Sequence, residues 1–163
     1  MATTGIWKIE KRLDNVLDYT TNVEKTKHNE NYNNNYYDLH NVIEYVESDY
    51  KTEEQLFVSG INCSPKTALE EMSITKEQYG KTDGILGFHA FQSFAEGEVT
   101  PEQCHAIGVR LAEEMWGDRF EVVVSTHINT NHYHNHFVIN SVSFKDGKRY
   151  YDKRETYAEL RRL

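Results

Sequence analysis

The chain predicts an α+β domain. Ile85 to Phe94 alternates apolar and polar positions, Thr100, Pro101 and Gln103 open a capped helix, and two strand-like segments are joined by the short stretch Ile128 to Asn131. Period-two alternation marks a strand with two distinct faces, and a threonine followed by proline and then glutamine three positions on marks a helix start. A connection this short folds one strand back beside the other, antiparallel.

The first strand is read at GIWKIE, residues 5–10. Leu13, Val16, Leu17 and Thr20 then recur at helical spacing, with Tyr19 on the helix flank beside Val16. Residues 28–37 (HNENYNNNYY) carry Asn and Tyr without periodicity and read as a mobile loop. Leu39, Val42, Ile43 and Val46 outline a second helix, and QLFVSGINC a strand. Ser64 and Pro65 supply a hydroxyl cap and a first-turn proline for the next helix. In the alternating strand, Phe88, Ala90, Gln92 and Phe94 share one face, with His89, Phe91 and Ser93 on the other. The helix from Thr100 runs through Met115 and Trp116 to a stop near Gly117. Strands follow over 119–126 and 133–144, and Asp146 with Gly147 marks a tight hairpin into KRYY. A charged helix begins after Asp152 and stops in mid-pattern, so residues 1–163 are expected to be a single domain cut from a longer protein.

Composition narrows the function classes. A chain of 163 residues has room for one buried core, and its 38% hydrophobic content fits a globular protein. No run approaches the roughly 20 apolar residues of a membrane span, and no secretory signal opens the chain, so a cytoplasmic location is expected. Cys63 and Cys104 are too few for a disulfide framework and read as reduced, structural thiols. The net charge of −8 weighs against nucleic acid, yet it is unevenly spread. Residues 1–27 carry five basic and four acidic groups, residues 145–163 seven and four, and the middle six and eighteen. Basic ends can flank a site that the acidic middle does not face.

The segment THINTNHYHNHFVIN, residues 126–140, holds four of the eight histidines. On an extended strand, His134 and His136 project from one face about 6.5–7 Å apart, close enough for long imidazoles to lean toward one ion. His127, from the preceding segment, can complete the set. His132 is a fourth candidate, although it lies off the alternating pair and beside the turn. Three neutral imidazoles leave a divalent cation its full charge and open coordination positions, which suits a Lewis acid acting on a phosphate. Exposed hairpin histidines without a metal are the plain alternative.

With these histidines stand Asn140, the upstream stretch QSFAEGEVTPEQCHAIG, the downstream SVSFKDGKRYY, the early LDYTTNVEKT and the segment LFVSGINCSPKTA. Together they closely resemble relaxases of the mobilisation nuclease family, a branch of the HUH endonucleases that nick plasmids and conjugative elements for transfer. The resemblance covers nearly the whole chain. It implies a central antiparallel sheet of about five strands flanked by helices, with the metal-binding histidines on a middle strand. It also implies site- and strand-specific nicking and rejoining at an origin of transfer, through a 5′-phosphotyrosyl link and a free 3′-hydroxyl.

Carried onto this sequence, the resemblance makes Tyr19 the nucleophile and His127, His134 and His136 the metal ligands. Tyr32, Tyr36 and Tyr37 are competing nucleophiles. Gln92 and Ser93, with Glu98, match the family's second motif near the DNA phosphate, and His89 shares the Ser93 face and can line the cleft. Lys25, Thr26 and Asn140 are further candidate DNA contacts. Asn129 stands where the family commonly has Asp, an acid that would orient a ligand histidine or accept a proton. The ion expected from phosphate chemistry is Mn²⁺ or Mg²⁺, while imidazole ligation also suits Zn²⁺, Ni²⁺ or Co²⁺. The implied partners are single-stranded or locally melted origin DNA, auxiliary DNA-binding proteins of the relaxosome, and the coupling protein of the transfer machinery, with the protein–DNA conjugate exported from the bacterial donor cell. A non-catalytic metal-dependent DNA-binding module and a replication-initiator or transposase-type HUH nuclease are the alternatives.

Overall fold

The computed structural model describes residues 2–10, residue 43 and residues 57–150. The first helix, the Asn/Tyr loop, most of the second helix and the final charged helix expected from the sequence lie outside them, as do Tyr19, Lys25, Thr26, Tyr32, Tyr36 and Tyr37. Five strands form one sheet: β1 (Thr3–Ile9), β2 (Val58–Ile61), β3 (Gly87–Ser93), β4 (Val122–His127) and β5 (His134–Asn140). Their spatial order is β1-β3-β5-β4-β2, and every described neighbouring pair runs antiparallel. The expected antiparallel sheet of about five strands is therefore present, with β5 at its centre.

Two helices among the described residues pack on this sheet. A 3₁₀ turn, Pro65–Thr67, leads into α1 (Ala68–Gln78). The Ser64 hydroxyl makes no capping bond there; instead the Glu71 carboxylate reaches back and accepts from the Ser64 backbone N–H at 2.8 Å. Helix α2 (Pro101–Trp116) opens with the capping box read in the sequence. The Thr100 hydroxyl accepts from the Gln103 N–H at 3.1 Å, and the Gln103 side chain accepts from the Thr100 N–H at 2.9 Å. Two of the amide donors that a helix start leaves unpaired are thereby satisfied.

Because side chains alternate across a strand, each strand divides its residues between two layers. Phe88, Ala90, Val122, Val124, Phe137 and Ile139 face α2, where Leu111, Ala112 and Trp116 complete a buried cluster. On the other face Ile9, Val123 and Val138 meet Ala68, Leu69 and Met72 of α1, with the helical residue Ile43 beside them. Burying each Val, Leu, Ile, Phe or Met side chain among them contributes roughly 1.5–3 kcal/mol. The hairpin expected at Asp146 and Gly147 is a tight turn closed by the single bridge Val142↔Arg149, and β5 ends at Asn140, before Phe144. Gly147 takes φ 72°, the left-handed backbone that glycine accommodates without strain.

Asn135 is the central residue of a polar row on the α2 face. Its carbonyl oxygen accepts from the Thr126 hydroxyl, and its amide donates to Gln92 Oε1 at 3.0 Å and to the Cys104 carbonyl at 2.9 Å. Gln92 and Thr126 are its register partners on β3 and β4, so one buried amide stitches three strands and α2 together. The Thr126 hydroxyl has one proton and gives it to Asn135, so it accepts from His105 Nδ1, 2.8 Å away. Burial lowers the His105 pKa and so favours the neutral ring, whose Nε2 accepts from the Ser59 hydroxyl at 2.7 Å. Gly108 makes room for this row, since a Cβ there would lie 2.6 Å from the Asn135 Cγ.

Gly108→Ala is therefore expected to lower the unfolding free energy by about 1–3 kcal/mol, as overpacking does. In an Asn135→Ala background the same change should cost much less, because the clashing amide is gone. Equal costs in both backgrounds, measured by urea denaturation, would refute the packing role assigned to Gly108.

Candidate metal centre

The histidines owe their meeting to strand register. His127, the last residue of β4, pairs directly with His134, the first of β5, and Ser125 pairs with His136. Positions 127, 134 and 136 thus fall on one face, the face that carries α1 farther along the sheet. The ring centroids of His127 and His136 are 4.2 Å apart, those of His127 and His134 5.0 Å, and those of His134 and His136 4.9 Å. One ligand nitrogen from each residue lies within 4.8 Å of the others, so the three can close on a single ion. His127 is 1% and His136 7% exposed, while His134 is half-buried and opens the group toward solvent.

Hydrogen bonds outside the triad orient two of these rings. His134 Nδ1 sits 3.0 Å from the His132 backbone carbonyl. A carbonyl only accepts, so His134 carries its proton on Nδ1 and keeps the Nε2 lone pair for an ion. His136 Nδ1 lies 2.7 Å from Nε2 of His89, an imidazole wholly buried on β3. Burial pushes the His89 pKa down to about 3, so that ring is neutral at physiological pH. Trp7 of β1 packs against it, with ring centroids 4.7 Å apart.

The other sequence candidates divide clearly. Ser93 pairs with His134 across β3 and β5, on the histidine face and half-buried, so it borders the site. Gln92 is on the opposite face, 3% exposed, where its side-chain carbonyl accepts from Asn135. The structure does not bring it to the histidines. Glu98 is exposed in the β3–α2 loop, where its carboxylate accepts from the Ala95 N–H. His132 contributes its backbone carbonyl to His134, while its ring Nδ1 is 3.3 Å from the Phe94 carbonyl. Asn129 is exposed in the β4–β5 loop.

Asn140 corrects the expectation of a DNA contact. It ends β5 at the extremity remote from His134, wholly buried. Its carbonyl oxygen accepts from the Lys76 ammonium, and its amide donates to Glu121 Oε1 at 2.9 Å and to the Met72 carbonyl at 3.2 Å. With its side-chain amide bonded on both ends inside the protein, it is not presented to a phosphate. The basic residues near the described carboxyl end are remote as well. Lys148 and Arg149 line a cavity of about 490 Å³ with Lys81 and Arg119, beside the turn that follows β5. Within it Arg119 pairs with Asp146 and Arg149 with Asp83.

Sequence reasoning missed the Lys76–Asn140–Glu121 cluster and the His89–His136 contact. The alternation of β3 did place His89 on the correct face, but only the β3–β5 register says which histidine it meets. Among the described residues Cys63 and Cys104 form no disulfide, and the Cys63 thiol donates to the Val122 carbonyl at 3.5 Å.

The family described as "Relaxase: MobA/VirD2-like, nuclease domain" matches residues 45–163. The matched segment includes all three histidines and begins after Tyr19. A protein named rlx from Staphylococcus aureus is 48% identical over 92 residues, covering 56% of this chain and 29% of that protein. A second rlx from the same species is 39% identical over 107 residues, covering 66% and 33%. The group II intron-interrupted relaxase LtrB of Lactococcus lactis subsp. cremoris is 30% identical over 168 residues, covering 86% of this chain and 29% of that protein. The chain thus spans about a third of the length of these relatives. No solved structure matches.

The Lys76 cluster yields a pH signature. Burial lowers the Lys76 pKa from 10.5 to about 7, partly opposed by the Glu121 carboxylate, and burial raises that of Glu121. Between about 7 and 10.5 the unfolded chain holds the lysine proton and the folded chain does not, so this group adds stability as pH rises through that window. Replacing the lysine by Lys76→Met should flatten the rise, so wild-type and variant urea midpoints should diverge with pH. Parallel profiles would contradict the lowered Lys76 pKa.

Proposed function

Because this chain belongs to the MobA/VirD2-like relaxase nuclease family, we propose that it nicks one DNA strand at an origin of transfer and rejoins it, using Tyr19 as nucleophile. The observation that carries this reading is the convergence of His127, His134 and His136 on one face of the central strands. The donor set fits a divalent cation: three imidazoles, two of them buried and one opening to solvent, and a backbone carbonyl that fixes the His134 tautomer. Such an ion, when bound, polarises a non-bridging phosphate oxygen and offsets the charge that develops during transfer. Mn²⁺ and Mg²⁺ are the proposed physiological ions, with Zn²⁺, Ni²⁺ and Co²⁺ compatible with the ligands.

In the proposed reaction the Tyr19 phenolic oxygen attacks the phosphorus of one phosphodiester. The new bond joins the tyrosine to the 5′-phosphate, and the bond to the 3′-oxygen breaks. The phenolic proton passes to a base, and the departing oxygen takes up a proton to become a 3′-hydroxyl. A phenol with a pKa near 10 is a weak nucleophile at neutral pH, so a neighbouring cation that favours the phenolate is what the step requires. Because the phosphotyrosyl bond keeps the energy of the broken diester, reversal rejoins the strand without ATP. Ser93, which pairs with His134, is a proposed contact to the phosphate, and Lys25 and Thr26 are proposed contacts to the single-stranded DNA backbone. Auxiliary origin-binding proteins and the coupling protein of the transfer machinery are the proposed partners, with assembly in the cytoplasm of the donor cell.

Incubation with a single-stranded origin oligonucleotide and Mn²⁺ or Mg²⁺ should yield a protein–DNA adduct that survives denaturation. Tyr19→Phe should abolish it, and His134→Ala should weaken metal binding by about tenfold or more. An adduct that persists in Tyr19→Phe would move the nucleophile to Tyr32, Tyr36 or Tyr37. Metal-dependent DNA retention without any adduct would instead support a non-catalytic binding module.

A further inference from the structure

We infer that His89 is a positioning residue for the metal centre: its Nε2 accepts the Nδ1 proton of His136 and thereby commits His136 Nε2 to the ion. This inference rests on reading the three histidines as a metal centre. The two nitrogens are 2.7 Å apart, a full hydrogen bond between rings whose centroids are 5.0 Å apart. A neutral imidazole has one N–H and one lone pair, so only two arrangements satisfy this contact. If His89 donates, neutral His136 must carry its own proton on Nε2, the nitrogen that the ion requires. If His136 donates from Nδ1, its Nε2 lone pair is available, and His89 carries its proton on Nδ1. Ligation of an ion by His136 therefore selects the second arrangement. The carbonyl of His132 imposes the same Nδ1–H form on His134, so both histidines of β5 would present Nε2.

The surroundings of His89 suit that task. It stands on β3 opposite Val138, two positions along from the His136 partner Phe91, so its side chain reaches His136 diagonally across the strands. Wholly buried beside Trp7, it has little freedom to turn away. His89 Nδ1 has no hydrogen-bond partner among the described residues. A buried N–H left that way carries a desolvation cost that ion binding must outweigh. Metal affinity should consequently be sensitive to what occupies position 89. Partners of this kind commonly change affinity by about 10–100-fold when removed.

The test combines two variants with a spectroscopic measurement. His89→Phe keeps an aromatic ring against Trp7 but removes the acceptor, whereas His89→Gln restores a side-chain acceptor. Zn²⁺ titration calorimetry should show affinity falling about 10–100-fold in His89→Phe and recovering most of that loss in His89→Gln. In the Zn²⁺-loaded wild-type chain, ¹⁵N resonances should assign His89 as the Nδ1–H tautomer with Nε2 accepting. Equal Zn²⁺ affinity in wild type and a folded His89→Phe, or an Nε2–H tautomer for His89 in the loaded chain, would overturn the inference. The tautomer measurement decides alone if His89→Phe fails to fold. Failure of wild type to bind Zn²⁺ would remove the metal centre itself, an outcome separate from failure of the His89 role.

Discussion

The antiparallel register between β4 and β5 is the constraint on which the candidate site depends. It sets His127 opposite His134 and Ser125 opposite His136, and so turns a sequence spacing into a cluster of three imidazoles. A slip of one residue would send every side chain of β5 to the other face, taking His134 and His136 away from His127. What holds the register lies on the reverse face. There the amide of Asn135 bonds Thr126 on β4 and Gln92 on β3, while its second N–H reaches the Cys104 carbonyl of α2. A buried amide satisfied at every atom in one register would be left unsatisfied in any other, a penalty of about 1–3 kcal/mol for each group.

The sheet therefore separates structural and chemical work between its faces and ends. The α2 face is mostly apolar and closes over one polar row, Gln92–Asn135–Thr126, extended through His105 to Ser59. On the α1 face, Val138 and Val123 belong to the core while the histidines stand farther along the same strands. At the remote end of β5, Lys76, Asn140 and Glu121 form a second buried polar cluster that ties α1 to the sheet. The acidic net charge is compatible with the proposed phosphate-directed site because the side chains that converge there are imidazoles rather than carboxylates. An ion held there would add positive charge where the phosphate approaches.

Local signals in the sequence were the most legible. The Thr100–Gln103 capping box starts α2 where the pattern places it, and the alternation of β3 assigns Phe88 and Ala90 to one face and His89 to the other. The histidine face of β5 followed from the same period-two rule. Long-range contacts were not legible, because periodicity reveals a residue's face but not its neighbour on another element. Asn140 shows the difference: it shares the histidine face, as read, yet six residues along an extended strand carry it to the opposite end and into contact with Lys76. Gln92 and Ser93 are adjacent in sequence and point to opposite faces, so only Ser93 borders the histidines. Asn135 stands out in sequence as a polar residue between two ligand histidines. Its reason appears only when Gly108 of α2, Thr126 and Gln92 are seen around it.

The central claim is that β4 and β5 together present three histidines to one ion. X-ray absorption spectroscopy of the Co²⁺-loaded chain counts the imidazoles bound to the metal. Three histidine nitrogens, with the remaining positions filled by oxygen, are predicted. Fewer than three imidazoles, or sulfur in the coordination shell, would contradict it.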